Sequence, residues 1–175
     1  CIVIEEVARA CASSSLIPAV NKLGTLPIML SGSPELKAKY LPPVARGEAM
    51  FSYALSEPEA GSDAAGMRTR AVLDGDAWVL NGGKRWITNA GVAGWYTVLA
   101  TFDRGLKHKG IAAFVVDAKT PGVKVGRKEN KMGQRASDTC DVLFEDVRIP
   151  ARNLLGTEDG GFKVGAVLAD NNASL

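Results

Sequence analysis

Apolar residues recur at helical spacing from the first positions of the chain, with Ile4, Val7, Ala8 and Cys11 three or four apart. The pattern reads as a chain that begins inside a helix, and helical character continues through residue 47. Within this stretch Ser33-Pro34-Glu35 supplies an N-cap, a proline at the first helical position and an acid in the first turn. Leu36 and Tyr40, four apart, should face the core, and Pro42-Pro43 should end the helix. At Met50 the period changes. Short apolar or β-branched runs follow at Met50–Leu55, Arg68–Leu73, Ala77–Leu80, Lys84–Thr88, Trp95–Thr101, Ile111–Val116, Val123–Val125 and Thr139–Val147. Asp74-Gly75-Asp76 and Asn81-Gly82-Gly83 are turn signals between neighbouring runs. Thr69, Ala71 and Leu73 alternate with Arg68, Arg70 and Val72 on the opposite face. No helix of convincing length separates the runs, which favours an antiparallel barrel or sandwich over a doubly wound parallel sheet. After Pro150 a helical pattern returns, opening at Gly160-Gly161-Phe162-Lys163-Val164. The class is α+β: a helical N-terminal segment (1–47), an antiparallel β domain (48–150) and the start of a C-terminal helical unit (151–175).

Composition narrows the function classes. Of 175 residues, 46% are hydrophobic and 23% charged, with a mean hydropathy of +0.03, the profile of a soluble globular chain rather than a disordered or fibrous one. Lys+Arg 21 against Asp+Glu 19 leaves +2, so no global field marks a nucleic-acid or polybasic membrane protein. The weakly polar run Gly91–Phe102 is shorter than the roughly 20 apolar residues a membrane span needs. Cys1, Cys11 and Cys140 are odd in number and far apart, and His108 is the single histidine. A disulfide framework and a metal site are both disfavoured, and a reducing compartment fits. Cys11 and Cys140 read as small buried hydrophobes, and His108, between Lys107 and Lys109, as a solvated loop residue. No signal or transit peptide is visible, and the pattern at both ends reads as a piece of something longer.

The usual nucleotide and nucleophile motifs fail. No G-x-G-x-x-G follows a strand, Gly82-Gly83-Lys84-Arg85 lacks the rest of a P-loop, and no G-x-S-x-G elbow is present. What stands out is the segment Tyr53–Asp63 (Tyr-Ala-Leu-Ser-Glu-Pro-Glu-Ala-Gly-Ser-Asp). It is either an ordinary acidic turn or an anion-binding nest, with Gly61 admitting a phosphate and Ser62 donating a hydroxyl. A second segment is Trp86-Ile87-Thr88-Asn89. Trp86 can be core, or it can lie against a planar ring with Thr88 pointing to the same side. Lys124, Arg127, Lys128, Lys131 and Arg135 form either a phosphate-steering group or a solvated strand rim, and Glu129 and Glu145 read as surface.

Together these segments resemble the acyl-CoA dehydrogenase family, through Tyr53–Asp63, Asn81–Asn89, Lys131–Ser137 and Phe144–Pro150. The likeness runs along nearly the whole chain, and the first two motifs are specific in combination. It implies an N-terminal helical domain, a middle β-barrel that binds FAD, and a C-terminal helical bundle, assembled as a homotetramer. The resemblance places Tyr53, Leu55, Ser56, Gly61, Ser62, Trp86, Ile87 and Thr88 at the cofactor. Ser56 and Thr88 would donate to the N5/O4 edge of the flavin, and Trp86 would cover one face. Gly61 and Ser62 would meet the pyrophosphate, and Ser62 the acyl-CoA substrate as well. The implied activity is oxidation of acyl-CoA thioesters to trans-2-enoyl-CoA in fatty-acid or branched-chain amino-acid breakdown, with electrons passed to an electron-transfer flavoprotein. The family's catalytic glutamate comes from the C-terminal helical domain, so no catalytic residue is expected in this chain. Glu57 and Glu59, which sit in the turn motif, do not replace it. The tail also departs from the family pattern, because the arginine expected soon after Asp170 is absent. Acyl-CoA oxidases, nitroalkane oxidases and a non-catalytic flavin-binding relative share the resemblance. The expected location is a bacterial cytoplasm, or the mitochondrial matrix of a eukaryote.

Overall fold

Three helices lead the chain in the computed structural model, which describes residues 2–162: α1 (Ile2–Ala10), α2 (Ala12–Ser31) and α3 (Pro34–Ala45). Cys11 breaks α1 from α2 in an extended conformation, and that break leaves its side chain exposed rather than buried as expected. Ser33 caps α3 by accepting from the Leu36 N–H at 3.3 Å, and Leu36 and Tyr40 are buried as expected. Pro42-Pro43 does not end α3, which runs on to Ala45. Each proline lacks a donor but keeps its carbonyl, and Pro42 O still accepts from the Arg46 N–H at 3.1 Å.

Seven strands follow: β1 (Phe51–Ala54), β2 (Arg70–Asp74), β3 (Ala77–Thr88), β4 (Trp95–Thr101), β5 (Ile111–Asp117), β6 (Val123–Lys128) and β7 (Thr139–Pro150). They form one curled sheet in the order β1-β4-β2-β3-β7-β6, with β5 on β4. The sheet is mixed rather than strictly antiparallel, because β1 runs parallel to β4 from the Phe51–Trp95 pair to Ala54–Val98. Between them the chain makes the β2–β3 hairpin, a connection long enough to bring β4 back in the direction of β1. Alternation reports which face a residue takes but not the direction of its neighbour strand.

The expected turn at Asn81-Gly82-Gly83 is instead the inside of one long strand. Pairing of β3 with β7 slips between Leu80 and Gly82. Gly82 has φ +146°, and a Cβ there would lie 2.6 Å from Thr69 Cα, so glycine serves a close crossing of chains. Asn81 spans the irregularity, its Nδ2 donating to Asp146 Oδ1 at 3.0 Å and its Oδ1 accepting from the Asp146 N–H at 2.9 Å.

Apolar residues collect on both faces of β4 and β5. Tyr96, Val98, Phe114 and Val116 point into the curl of the sheet with Trp78, Leu80 and Phe144. Leu99, Ile111 and Val115 face the helices, meeting Ile28, Leu36 and Tyr40. Burial on both faces explains why Ile111–Val116 is one unbroken apolar run. Gly24 in α2 lets the helix press on β1: a Cβ there would sit 2.7 Å from Phe51 Cβ, and Gly24 O accepts from Thr97 Oγ1 at 2.7 Å. No described helix is long and apolar enough to cross a membrane. The helical turn at Gly161–Phe162 opens the expected C-terminal pattern, whose continuation and the tail after Leu168 lie outside the described residues.

Candidate functional site

The two motif segments meet where β1 gives way to its turn and β3 approaches its end. β1 and β3 are not ladder neighbours, so side chains and single backbone contacts must join them. Ser52 Oγ donates to Thr88 O at 2.8 Å, and the Arg85 N–H donates to Ser56 O at 2.8 Å. Lys84 Nζ donates to Leu55 O at 3.0 Å and to Glu57 Oε1 at 2.7 Å. Glu57 also accepts from the Arg68 N–H (Oε2, 2.6 Å) and the Thr69 N–H (Oε1, 3.0 Å). Ala60 and Glu57 exchange backbone bonds that close the turn, and Glu59 pairs with Arg68 outside it.

This ion pair is buried, with Lys84 1% and Glu57 5% exposed. Burial pulls the Lys84 ammonium down to about 8, and Glu57 offsets only part of that. For Glu57, burial alone would raise the carboxyl. The Lys84 charge and the hydrogen bonds from Lys84, Thr69 and Arg68 outweigh it, and the group sits below the ordinary carboxylate range.

A second slip in the β3–β7 ladder, between Lys84 and Ile87, takes Arg85 and Trp86 out of register. Trp86 has φ +57°, a left-handed conformation that costs a bulky residue about 1–2 kcal/mol. Asp141 Oδ1 accepts its N–H at 3.2 Å. The indole is turned out of the sheet, 60% exposed, with the Arg85 guanidinium 5.2 Å from its ring centroid. Of the two readings of Trp86, the core one is excluded.

The other expected positions fall into four groups. Leu55, Ser56 and Thr88 are half-buried beside Trp86 in sequence or through the bonds just described. Ile87 is 3% exposed and belongs to the sheet core, so it can offer a ligand its backbone but not its side chain. Tyr53 is half-buried with no hydrogen-bond partner for its Oη among the described residues, and burial raises its phenol well above the ordinary value. Gly61 and Ser62 are exposed on the turn, and among the described residues beyond its chain neighbours no atom lies within 4 Å of where a Gly61 Cβ would be. That space leaves the backbone open to approach by a ligand. Among the described residues, no hydrogen bond joins Gly61 or Ser62 to the Trp86–Thr88 segment.

The basic group is largely committed elsewhere. Lys131 Nζ donates to Ser137 O at 2.7 Å and Thr139 Oγ1 at 2.8 Å, Arg135 Nε donates to Lys131 O at 2.8 Å, and Lys124 pairs with Glu145. His108 is exposed, its ring 5.8 Å from that of Phe162, while Cys140 is buried as expected. Sequence reasoning missed the Lys84–Glu57 pair. The available signal was a lysine inside a β run, followed two residues later by the motif tryptophan.

Residues 52–147 match the family model of the acyl-CoA dehydrogenase middle domain, and residues 1–48 that of the N-terminal domain. Over 171 residues the chain is 55% identical to the probable acyl-CoA dehydrogenase fadE25 of Mycobacterium bovis, covering 98% of this chain and 44% of that protein. The solved butyryl-CoA dehydrogenase of Megasphaera elsdenii superposes with a TM-score of 0.93 at 38% identity, over 95% of this chain and 44% of that one. A glutaryl-CoA dehydrogenase from Mycobacterium smegmatis in complex with FADH2 gives a TM-score of 0.82 at 36% identity, over 89% and 39%. The chain therefore belongs to the acyl-CoA dehydrogenase family. It spans 44% of the length of the mycobacterial relative.

Proposed function

We propose that the whole protein is an FAD-dependent acyl-CoA dehydrogenase, converting acyl-CoA thioesters to trans-2-enoyl-CoA and passing electrons to an electron-transfer flavoprotein. The observation that carries this reading is Trp86: an exposed indole held in a left-handed bulge, beside the Arg85 N–H bond to Ser56 and one residue from Ile87-Thr88. A planar surface next to two hydroxyl residues suits an aromatic ring system. Oxidising a saturated acyl chain needs an electron sink that no side chain offers, and a bound flavin supplies it.

Trp86 would cover one face of the flavin, and the hydroxyls of Ser56 and Thr88 would donate to the ring edge where negative charge arrives. Tyr53, Leu55 and the Ile87 backbone would border the ring. The open backbone at Gly61 and the Ser62 hydroxyl would receive the pyrophosphate, with Ser62 also reaching the acyl-CoA. The α-proton acceptor is assigned to the C-terminal helical domain, outside this chain. Glu57 is unsuited to that task, being committed to Lys84, Arg68 and Thr69, and Glu59 pairs with Arg68. The same proposal includes the division at 47 and 150, a homotetrameric assembly, and a reducing location in a bacterial cytoplasm or mitochondrial matrix, which suits the free thiols of Cys11 and Cys140.

The test is an anaerobic visible spectrum of the complete, FAD-loaded protein before and after adding a panel of acyl-CoAs. Bleaching of the oxidised flavin band by one chain-length class is the expected result. An unchanged spectrum across the panel, with flavin bound, overturns the dehydrogenase reading. Rapid oxygen consumption with the same substrates, without an added acceptor, would replace it with an oxidase.

A further inference from the structure

We infer that Lys84 and Glu57 are positioning residues for the flavin, their buried ion pair setting the Leu55–Ser56 backbone against Arg85 and Trp86. The inference rests on the proposed function and deepens it. Every described polar contact of the pair goes to the two segments of the candidate site or to the chain that closes its turn. Lys84 Nζ holds Leu55 O at 3.0 Å and Glu57 Oε1 at 2.7 Å. Glu57 takes the N–H groups of Arg68 and Thr69, which fixes the far side of the turn carrying Gly61 and Ser62. Lys84 also immediately precedes the bulge, so the residue that grips Leu55 sits next to Arg85, whose N–H holds Ser56 O at 2.8 Å.

Stability alone is a poor reason for such a pair. Burying two charges carries a desolvation penalty that well-packed apolar residues avoid. What apolar residues cannot supply is direction. A short ladder between β1 and β3 is ruled out because the two strands are not neighbours in the sheet. A long side chain crossing the gap to a specific carbonyl does that work, and the carboxylate below fixes where its ammonium ends. Ser56 and Trp86 are thereby placed by one shared support, although thirty residues separate them along the chain.

The experiment uses the full-length protein as apoprotein, titrated with FAD and followed by flavin fluorescence and the shape of the visible flavin band. Lys84→Met, Glu57→Gln and, as a control of lowered stability away from the site, Leu36→Ala in α3 are compared with the unaltered protein well below their melting temperatures. The expected result is an FAD dissociation constant raised about tenfold or more in Lys84→Met and Glu57→Gln, with an altered band shape. Leu36→Ala melts earlier but binds FAD with unchanged affinity and band shape. Glu57→Gln keeps the side-chain shape and an acceptor oxygen, and it carries the comparison if Lys84→Met does not fold. Flavin affinity and band shape equal to the unaltered protein in the folded variants, with only the melting temperature lowered, overturn the inference and leave the proposed function standing. Failure of the unaltered protein to bind FAD overturns the proposed function, and the inference with it.

Discussion

The two ends of β1 are held by opposite kinds of force. At its start, Phe51 lies against Gly24 of α2, its ring 5.9 Å from that of Tyr40 and 5.5 Å from that of Trp95, so its side chain is held by apolar packing while its N–H donates to Asn21 Oδ1 at 2.8 Å. Four residues on, Leu55 and Ser56 are held by an ammonium, a carboxylate and single backbone hydrogen bonds. Packing at the first end is strong but does not point, and it tolerates small shifts of neighbouring atoms. The polar end is directional, and it fails steeply when one partner is lost. The strand is thus anchored where nothing need bind and aimed where the candidate site lies.

Two truncations should separate anchoring from aiming. Phe51→Ala and Lys84→Met should each lower stability by about 3–5 kcal/mol, the first through a cavity and the second by leaving Glu57 as an uncompensated buried charge. Urea unfolding of the full-length protein measures both, and a loss below about 1 kcal/mol for Lys84→Met would break the comparison. Acid should act at the polar end only. The Glu57 carboxyl sits below its ordinary range in the fold, so its stabilising contribution is complete above the unfolded value and is lost as pH falls through the folded one. The melting temperature of Glu57→Gln should therefore fall less between neutral and acid pH than that of the unaltered protein, whereas Phe51→Leu should keep the full acid slope.

Smaller changes probe the same contrast. Gly24→Ala gains helix propensity of about 1 kcal/mol but drives a Cβ to 2.7 Å from Phe51 Cβ. A net loss of about 1–2 kcal/mol should follow, visible in urea unfolding. Trp86→Gly should raise stability by up to about 1 kcal/mol, since glycine accepts the left-handed conformation freely. The same change should weaken FAD binding in the titration described above. A site that gains stability when its functional side chain is removed is one where strain serves function.

Local rules were legible, and non-local ones were not. The Ser33 cap, the inward pair Leu36 and Tyr40, and the bounds of β4 (Trp95–Thr101) depend on spacing within a few residues, and the structure keeps them. The parallel β1–β4 pairing depends on where a distant strand returns, which no local pattern encodes. Asn81-Gly82-Gly83 misled for a related reason. Glycine is required there by Thr69, which is distant in sequence, and the same residue type would mark a turn. At the candidate site, the motif residues stood out individually, but Lys84 read only as the first residue of the Lys84–Thr88 run. Its burial follows from Glu57 and the Leu55 carbonyl being brought beneath it, which is a property of the assembled turn. The exposure of Trp86 likewise follows from the bulge that starts beside that lysine.

The three tryptophans differ sharply in surroundings, and that difference makes the molecule its own reporter. Trp78 is buried beside Phe114 and should emit at short wavelength and resist a water-soluble quencher, whereas Trp95, half-buried between Tyr40 and Phe51, should fall between the extremes. Trp86, 60% exposed, should dominate the long-wavelength, acrylamide-accessible part of the emission. Whatever settles over that face, whether a cofactor or another part of the full-length protein, would shield that one fluorophore from acrylamide, while Trp78 keeps its resistance to the quencher.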